Sequence, residues 1–367
     1  MSPEFCDDVC AVVVTYHPDA AQLRALTAAL RSQVGRIVVV DNASAANVAA
    51  CLCAGEAQNL ELVCNAENLG VAAAQNLGAQ RALDWDACRY VLFCDQDSLP
   101  QPHMVQRLRA ALLAAEPALP ERGAGARSSA SRGGLGKLAA VGPWSVDSRT
   151  GQLGVLVVDH GLGPTRWLPS TQAMPASSTD AAPVEVSFLI ASGSLVPIEV
   201  LRSLRGMRGN YFIDHVDTEW CLRARAAGYR LLVVPGARLH HRLGDCVRRI
   251  WFFGWRQVSW HAPMRDYYMF RNTLLLLRDV PLPGVWRRHF ILRLLQFAGY
   301  FLILGDQRMA RLRYMLLGLW HGTLGRSGRL RPGTSTCDAI GAAELDPDAR
   351  SVPSAAPVGG DIPGRVP

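Results

Sequence analysis

The chain of 367 residues is 49% hydrophobic and 19% charged, with a formal net charge of +7 and a pI of about 9.0. That length suits one large α/β domain or two smaller ones around a substantial core. Ten cysteines without a CxxC pair or a Cys/His ladder leave out zinc-finger chemistry, and the N-terminus, MSPEFCDDVC, has neither the basic segment nor the apolar run of a secretory signal.

Cys6, Cys64, Cys94 and Cys221 lie in or beside apolar segments, which fits reduced thiols and a cytoplasmic location. Lys137 is the only lysine among 38 basic residues. Arginine's planar fork suits diphosphate oxygens and anionic surfaces. A basic excess also admits nucleic acid, so the position of the charge decides.

In chain order, Ala11 to Tyr16 (AVVVTY) predicts a short strand, then an HPD turn, then a helix over 20–33 through Leu23, Leu26 and Leu30. Ile37 to Val40 is a second buried strand closed by DNAS, and Leu60 to Cys64 a third. Val71 to Leu83 reads as an Ala-rich helix, residues 90–94 as the fourth strand, and residues 102–115 as another helix. Strand–helix alternation with continuous apolar strands predicts a parallel sheet covered on both faces.

Residues 117–137 and 164–183 predict loops, with strand-like segments at Leu153 to Val158 and Val184 to Leu195. Val200 to Leu204 reads as a short helix, and Trp220 to Ala227 as a helix closed by Gly228 at C′. Tyr229 to Val234 is a strand stopped by Pro235. From Leu239 to Leu330, fifteen Arg stand against four acids, and Trp251, Phe252, Phe253, Trp255 and Trp260 crowd the start. Residues 285–305 are the most apolar stretch, but Arg287, Arg288 and Arg293 leave an uninterrupted run shorter than the roughly 20 residues needed to span a bilayer. An Arg/Trp-rich apolar helix predicts the membrane–water interface, the alternative being a helical subdomain packed on the catalytic domain or on a second subunit. The tail from Arg331 predicts disorder.

Four clusters carry chemistry. YVLFCDQDS (90–98) is a core strand ending in Asp95 and Asp97, at the sheet edge where open α/β folds bind ligands. Asp97 suits a cation acting as a Lewis acid beside a diphosphate, and Asp95 a ribose hydroxyl; an Asp-rich turn is the plain alternative. Thr15 and Tyr16 with Asp41-Asn42-Ala43-Ser44 end two adjacent strands, where Asp41 can accept the N3–H of uracil or thymine or simply cap a helix. Asn68-Leu69-Gly70, with Asn76 and Gly78, offers a loop and helix start for phosphate. In FIDHVDTEW (212–220), Asp214, Asp217 and Glu219 precede a helix whose dipole favours the ionised form a general base needs, though Asp217 or Thr218 as a cap explains the pattern too. His240, His241 and Asp245 follow a strand and can complete a metal site.

Taken in order, VTYHPD (14–19), VVVDNAS (38–44), ENLGVAAAQNLG (67–78), VLFCDQDSLP (91–100), FLIASGSLVP (188–197), FIDHVDTEWCLRARAAGY (212–229), HRLGD (241–245) and YYMFRNTLLLLR (267–278) resemble the family 2 inverting glycosyltransferases, in their bacterial rhamnosyltransferase branch. The likeness covers about residues 9–280. It implies an α/β GT-A fold: a Rossmann-like nucleotide-binding half sheet with a mixed sheet extension, followed by a C-terminal helical segment. The implied division is a transferase domain over 9–245 (nucleotide half 1–115, acceptor half 138–245), a basic, aromatic helical region over 246–330 and a tail over 331–367.

The resemblance further implies Asp217 as the catalytic base. Thr15, Tyr16, Asp41, Asn68, Gly70, Asn76 and Asp95 would hold the nucleotide sugar, and Asp97 and His241 would hold Mg²⁺ or Mn²⁺. Glu219 and Trp220 would face the acceptor. The implied donor is dTDP-L-rhamnose, with a UDP-sugar the alternative because uracil and thymine present the same edge. The implied acceptor is a lipid-linked saccharide of a surface polysaccharide, at the inner face of the bacterial membrane. Homo-oligomer formation is the other use for the C-terminal segment. DQDS departs from a plain DxD, and the two loops are longer than usual. A sugar nucleotidyltransferase should carry a Gly/Arg/Lys phosphate loop where HPDAAQLR stands, and a nucleic-acid binder should interleave its aromatic and basic residues on an exposed sheet.

Overall fold

β-branched runs with no polar break dictate the centre of the molecule. In the computed structural model, residues 5–52, 59–115, 137–159, 161–168, 181–241, 246–251 and 255–330 are described, with 246–251 and 255–260 as backbone only. The elements run β1 (Cys6–Thr15), α1 (Ala20–Arg31), β2 (Val34–Asp41), α2 (Val48–Cys51), β3 (Leu60–Cys64), α3 (Val71–Leu83), β4 (Tyr90–Asp95), β5 (Leu99–Pro100) and α4 (Met104–Ala115). They continue with β6 (Leu138–Asp147), β7 (Leu156–Asp159), β8 (Pro164–Trp167), β9 (Val184–Glu185), β10 (Leu195–Pro197), α5 (Ile198–Ser203), a 3₁₀ turn (Gly209–Tyr211), α6 (Val216–Ala226) and β11 (Arg230–His241). β12 (Cys246–Trp251), β13 (Trp255–Trp260), α7 (Pro263–Asp279), α8 (Gly284–Leu304) and α9 (Arg308–Thr323) complete the described chain. Met1–Gly328 is one compact unit; Arg329–Pro367 is a second.

The main sheet has the order β3-β2-β1-β4-β10-β6-β11-β5, with β9 also on β11. β3, β2, β1 and β4 are mutually parallel, the Rossmann-like half. β10 runs antiparallel to both β4 and β6, so β6 points the same way as β4, and β11 pairs parallel to β6. The carboxyl ends of β1, β2, β4, β6 and β11 therefore share one edge, where Thr15, Asp41, Asp95, Asp147 and His241 stand. One core cluster gathers Val12, Val40, Val91 and Phe93 with α3 and α6; the opposite face packs Val13, Val39 and Leu92 against α1 and α4.

Several expectations need correction. β6 goes unread in the sequence because LAAVGPWSVD lacks alternation and holds Gly142-Pro143, yet it is a central strand. Gly142 leaves room there for Leu189, whose Cδ2 would lie 2.9 Å from an added Cβ. Pro235 does not stop β11: register jumps between Val234 and Arg238, and the extra residues bulge out while the strand continues to His241. Residues 186–194 are not strand, leaving only β9 and β10 of the expected run. α6 begins at Val216, four residues earlier than expected, so Asp217 and Glu219 sit inside its first turn. The region after 245 opens on the β12–β13 hairpin and only then becomes helical. Loop residues 117–136, most of 164–183 and the tail from 331 lie outside the described residues, as do the side chains of the Trp/Phe cluster at 251–260.

Candidate active site

The turn after β4 makes the site. β5 crosses to pair with the far end of β11, Leu99 opposite His240 and Pro100 opposite Leu239. This short bridge carries the DQDS turn onto the His241 backbone. Asp95, Asp97 and His241 then each offer a ligand atom within 4.8 Å of the others. His241 Nδ1 lies 3.3 Å from Asp97 Oδ1 and 3.0 Å from Ser98 Oγ. Ser98 Oγ is 2.5 Å from Ser192 Oγ, which in turn accepts the Asp95 N–H at 3.0 Å. Two carboxylate oxygens and one imidazole nitrogen form a donor set that suits Mn²⁺ or Mg²⁺.

The electrostatics agree with a cation site. Burial pushes Asp95 up to about 6; the Asp97 and Asp217 charges add to this, and His241 opposes it. Burial works against a charged His241, but the Asp97 hydrogen bond and the Asp95, Asp97 and Asp147 charges outweigh it and raise its pKa. Crowded carboxylates of this kind are relieved by a divalent ion.

The Asp217 charge acts on Asp95, so two acidic centres from distant parts of the chain share one field. Burial raises the Asp217 pKa, against the pull of the Thr218 N–H that donates to Oδ1 at 2.7 Å. The segment leading to it is strained: Phe212, Asp214 and His215 all have positive φ, at 67°, 62° and 60°. α7 holds it in place. Asn272 Nδ2 donates toward the carbonyls of Tyr211, Ile213 and Asp214 at 3.0, 2.7 and 3.0 Å, and Arg265 Nη2 binds Asp214 Oδ1 at 2.6 Å.

At the ends of β1 and β2, Asp41 is buried. Its Oδ1 accepts Thr15 Oγ1 at 2.9 Å and Ser44 Oγ at 2.5 Å, and its Oδ2 accepts the Ser44 N–H at 3.0 Å. Oδ2 keeps a lone pair for a base N–H. Tyr16 N–H donates to Gln96 Oε1 at 2.7 Å and the Gln96 amide returns to Tyr16 O at 3.1 Å, which clasps the ends of β1 and β4. Asn42, Asn65 and Asn68 form an amide chain, and Asn68 Oδ1 accepts the Gly70 N–H at 2.9 Å.

Three placements differ from expectation. Gly70 (φ 86°) is demanded by the protein itself, because a Cβ would lie 2.5 Å from the Phe212 carbonyl oxygen. Asn76 spends both side-chain atoms on Met207, donating to its O at 2.7 Å and accepting its N–H at 2.8 Å, so it positions that loop. Glu219 is fully buried, accepting from Arg208 Nε at 2.6 Å and Arg223 Nε at 2.8 Å, and Trp220 sits in the core. Glu219 does not share the Asp217 face, because a residue two positions on is turned about 200° around the helix. Ser192, Ser98, Gln96, Arg265 and Asn272 are supporting residues to which the sequence alone assigns no role, although FLIASGSLVP and YYMFRN contain two of them.

Residues 10–130 match the model of the glycosyl transferase family 2. Residues 10–130 thus carry a glycosyl transferase family 2 domain, on a mixed sheet with helices on both faces, and the protein is a glycosyltransferase. It is 29% identical over 276 residues to the dTDP-rhamnosyl transferase RfbF of Shigella flexneri, covering 75% of this chain and 82% of that protein. Among solved structures, Staphylococcus aureus TarS 1-349 in complex with UDP-GlcNAc is similar at 12% identity and a TM-score of 0.48, with 87% of this chain and 81% of that one covered. GalNAc-T7 with UDP, GalNAc and Mn²⁺ is similar at 14% identity and a TM-score of 0.47; 81% of this chain is covered, and it spans 58% of that longer chain.

Proposed function

We propose that the chain transfers L-rhamnose from dTDP-L-rhamnose to a hydroxyl of a lipid-linked saccharide at the cytoplasmic face of the membrane, inverting the anomeric centre. The observation that carries the transferase chemistry is the meeting of Asp95, Asp97 and His241 at one edge, within the field of Asp217. The choice of sugar is supported by the likeness to the dTDP-rhamnosyl transferase.

Asp41 accepts the N3–H of the thymine through Oδ2, while Thr15 and Ser44 hold its carboxylate in place. Asp95 accepts a ribose hydroxyl. Asp97 and His241 would hold Mg²⁺ or Mn²⁺, whose positive charge would offset that of a departing diphosphate. Asp217 removes the acceptor proton as the hydroxyl oxygen bonds to the anomeric carbon. The bond to the diphosphate oxygen breaks with its electron pair leaving on that oxygen, and a single displacement inverts the centre. Glu219 and Trp220 act in this scheme only by anchoring α6.

No described helix is long and apolar enough to cross a membrane. α8 nevertheless leaves Ile291, Leu292, Leu295 and Ile303 exposed along with Arg287 and Arg288, a composition for lying on an anionic surface. The full chain is expected to float with anionic liposomes, and Ile291→Ser/Leu295→Ser to stay behind; equal flotation removes this part of the reading. For the reaction, dTDP-rhamnose and a panel of UDP-sugars are offered with Mn²⁺ and nucleoside diphosphate release is followed. Fastest release from dTDP-rhamnose is expected. Faster release from a UDP-sugar refutes the donor assignment, and release from none refutes the transferase.

A further inference from the structure

A pocket of about 470 Å³ opens between the end of α5, the 3₁₀ turn and α6, and no step above uses it. The volume falls in the range of roughly 300–1,000 Å³ common to small-molecule sites. Arg205, Arg208 and Arg223 line it with Ser203 and Asn210, and no acid is among the lining residues. Arg223 stands on α6 beyond Asp217, turned about 240° around the helix from it, so the pocket opens on another face of α6 than the general base.

The three arginines are not equivalent. Arg223 is spent on structure: Nε and Nη2 donate to Glu219 at 2.8 and 3.0 Å, Nη2 also reaches Gly206 O at 2.9 Å, and Nη1 donates to Leu204 O. It thereby ties the turn after α5 to α6. Arg208 donates Nε to Glu219 at 2.6 Å and Nη1 to Asp279 at 3.3 Å, which leaves Nη2 for a ligand. Among the described residues, the exposed Arg205 and Asn210 side chains have no hydrogen-bond or carboxylate partner. Arg205 also sits where the backbone disfavours it. It is the C′ residue of α5 at φ 58°, with its N–H on Arg202 O at 3.1 Å and the Gly206 N–H on Leu201 O at 2.8 Å. Glycine usually takes that position, because a side chain at positive φ is strained.

A cation kept in strained backbone, at a pocket wall and with no acid of its own, points to a ligand. Arg278 binds Asp279 at 2.8 Å, so the guanidinium groups of Arg205, Arg208, Arg223 and Arg278 meet only the carboxylates of Glu219 and Asp279. We infer that this pocket binds a phosphate monoester of the size of a single sugar. Its charge of about −1.5 to −2 at neutral pH offsets the basic surplus. Its oxygens accept from the Arg205 fork and from Arg208 Nη2, and the sugar hydroxyls meet the Asn210 amide. The inference goes beyond the transferase reading and does not rest on it.

Glucose 1-phosphate is the probe, titrated calorimetrically into the full chain in EDTA so that no cation bridges it to Asp95 and Asp97. Neutral glucose and the singly charged diester dimethyl phosphate are the references, each expected to bind about tenfold or more weakly. Arg205→Gly removes the guanidinium and suits the left-handed backbone. It should therefore melt no lower than wild type while losing about tenfold or more in glucose 1-phosphate affinity. A merely structural arginine would not separate those two readouts. Should the glycine variant melt lower, Arg205→Gln retains a side chain at the same backbone and is expected to show the same loss of binding. Absence of glucose 1-phosphate binding, wild-type affinity in both variants, or equal affinity for either reference overturns the inference. Binding at the donor site instead would appear as affinity that ignores Arg205, which is the second of these outcomes. The titration needs no donor or transfer, so its failure leaves the transferase reading standing, and failure of that reading shows in the donor panel.

Discussion

Replacing Asp217 with asparagine keeps the side-chain shape and removes only the proton acceptor. The Thr218 N–H bond at 2.7 Å goes to Oδ1, which an amide retains, so the start of α6 should not move. A positioned general base contributes roughly 10²–10⁴-fold, or about 2.7–5.5 kcal/mol of barrier. The variant should lose that factor in kcat for transfer, while donor affinity measured calorimetrically with Mn²⁺ changes little. The pH profile gives a second reading. Burial raises the Asp217 pKa and the active form is the carboxylate, so the wild-type rate should fall as pH drops through a value above the ordinary carboxylate range. That limb should vanish in the variant. Stability carries the opposite sign. A folded pKa above the unfolded one means stability is greatest at low pH and declines as pH rises through the folded value. At neutral pH the carboxylate therefore burdens the fold, and Asp217→Asn should melt higher. A kcat within threefold of wild type, or a loss seen only as weaker donor binding, refutes the assignment.

Glu219→Gln leaves Arg208 and Arg223 facing each other across a buried gap, and should cost roughly 3 kcal/mol in urea unfolding; a loss below about 1 kcal/mol would return Glu219 to the list of acceptor-facing residues. Gly70→Ala forces a Cβ against Phe212 at positive φ and should cost about 1–3 kcal/mol while slowing transfer through displacement of the 212–215 segment; wild-type melting would show that the Phe212 backbone yields. Ser98→Ala removes the hydroxyl that holds His241 and Ser192, and should weaken Mn²⁺ binding by about 10–100-fold without changing the ligands themselves; unchanged Mn²⁺ titration would remove His241 from the metal set.

Much of this was legible in the chain because the nucleotide half is local. β3 and α3 fall where hydrophobic period and length put them, and Asp41 and Asp95 close strands whose apolar runs are unmistakable. What escaped is non-local. β6 has meaning only between β10 and β11, which are distant in sequence, and nothing in GPW marks a central strand. Glu219 looks like part of an acidic triplet in one dimension, but in a helix it turns away from Asp217 and meets Arg208 and Arg223. Asn76 looks like a ligand-facing amide until Met207, 131 residues on, takes both of its atoms.

The C-terminal helices also take on a different purpose once the site is in view. Read by charge, they are a basic surface, yet Arg271 and Arg311 are buried. Arg271 donates to Tyr211 O at 2.9 Å and lies over Tyr268 at 4.9 Å, and Arg311 pairs with Asp266 at 2.9 Å beneath Phe301. Residues 212, 214 and 215 hold left-handed backbone that costs roughly 1–3 kcal/mol each, and such a segment persists only where its surroundings over-determine it. Asn272, Arg271 and Arg265 supply that surrounding, all from α7, and α9 packs on α7 through Gly318, where a Cβ would lie 2.5 Å from Tyr267 O. The arginines of this region thus divide by depth. Those inside hold the strained segment that leads to Asp217, and those outside, such as Arg287 and Arg288 on α8, stay at the surface.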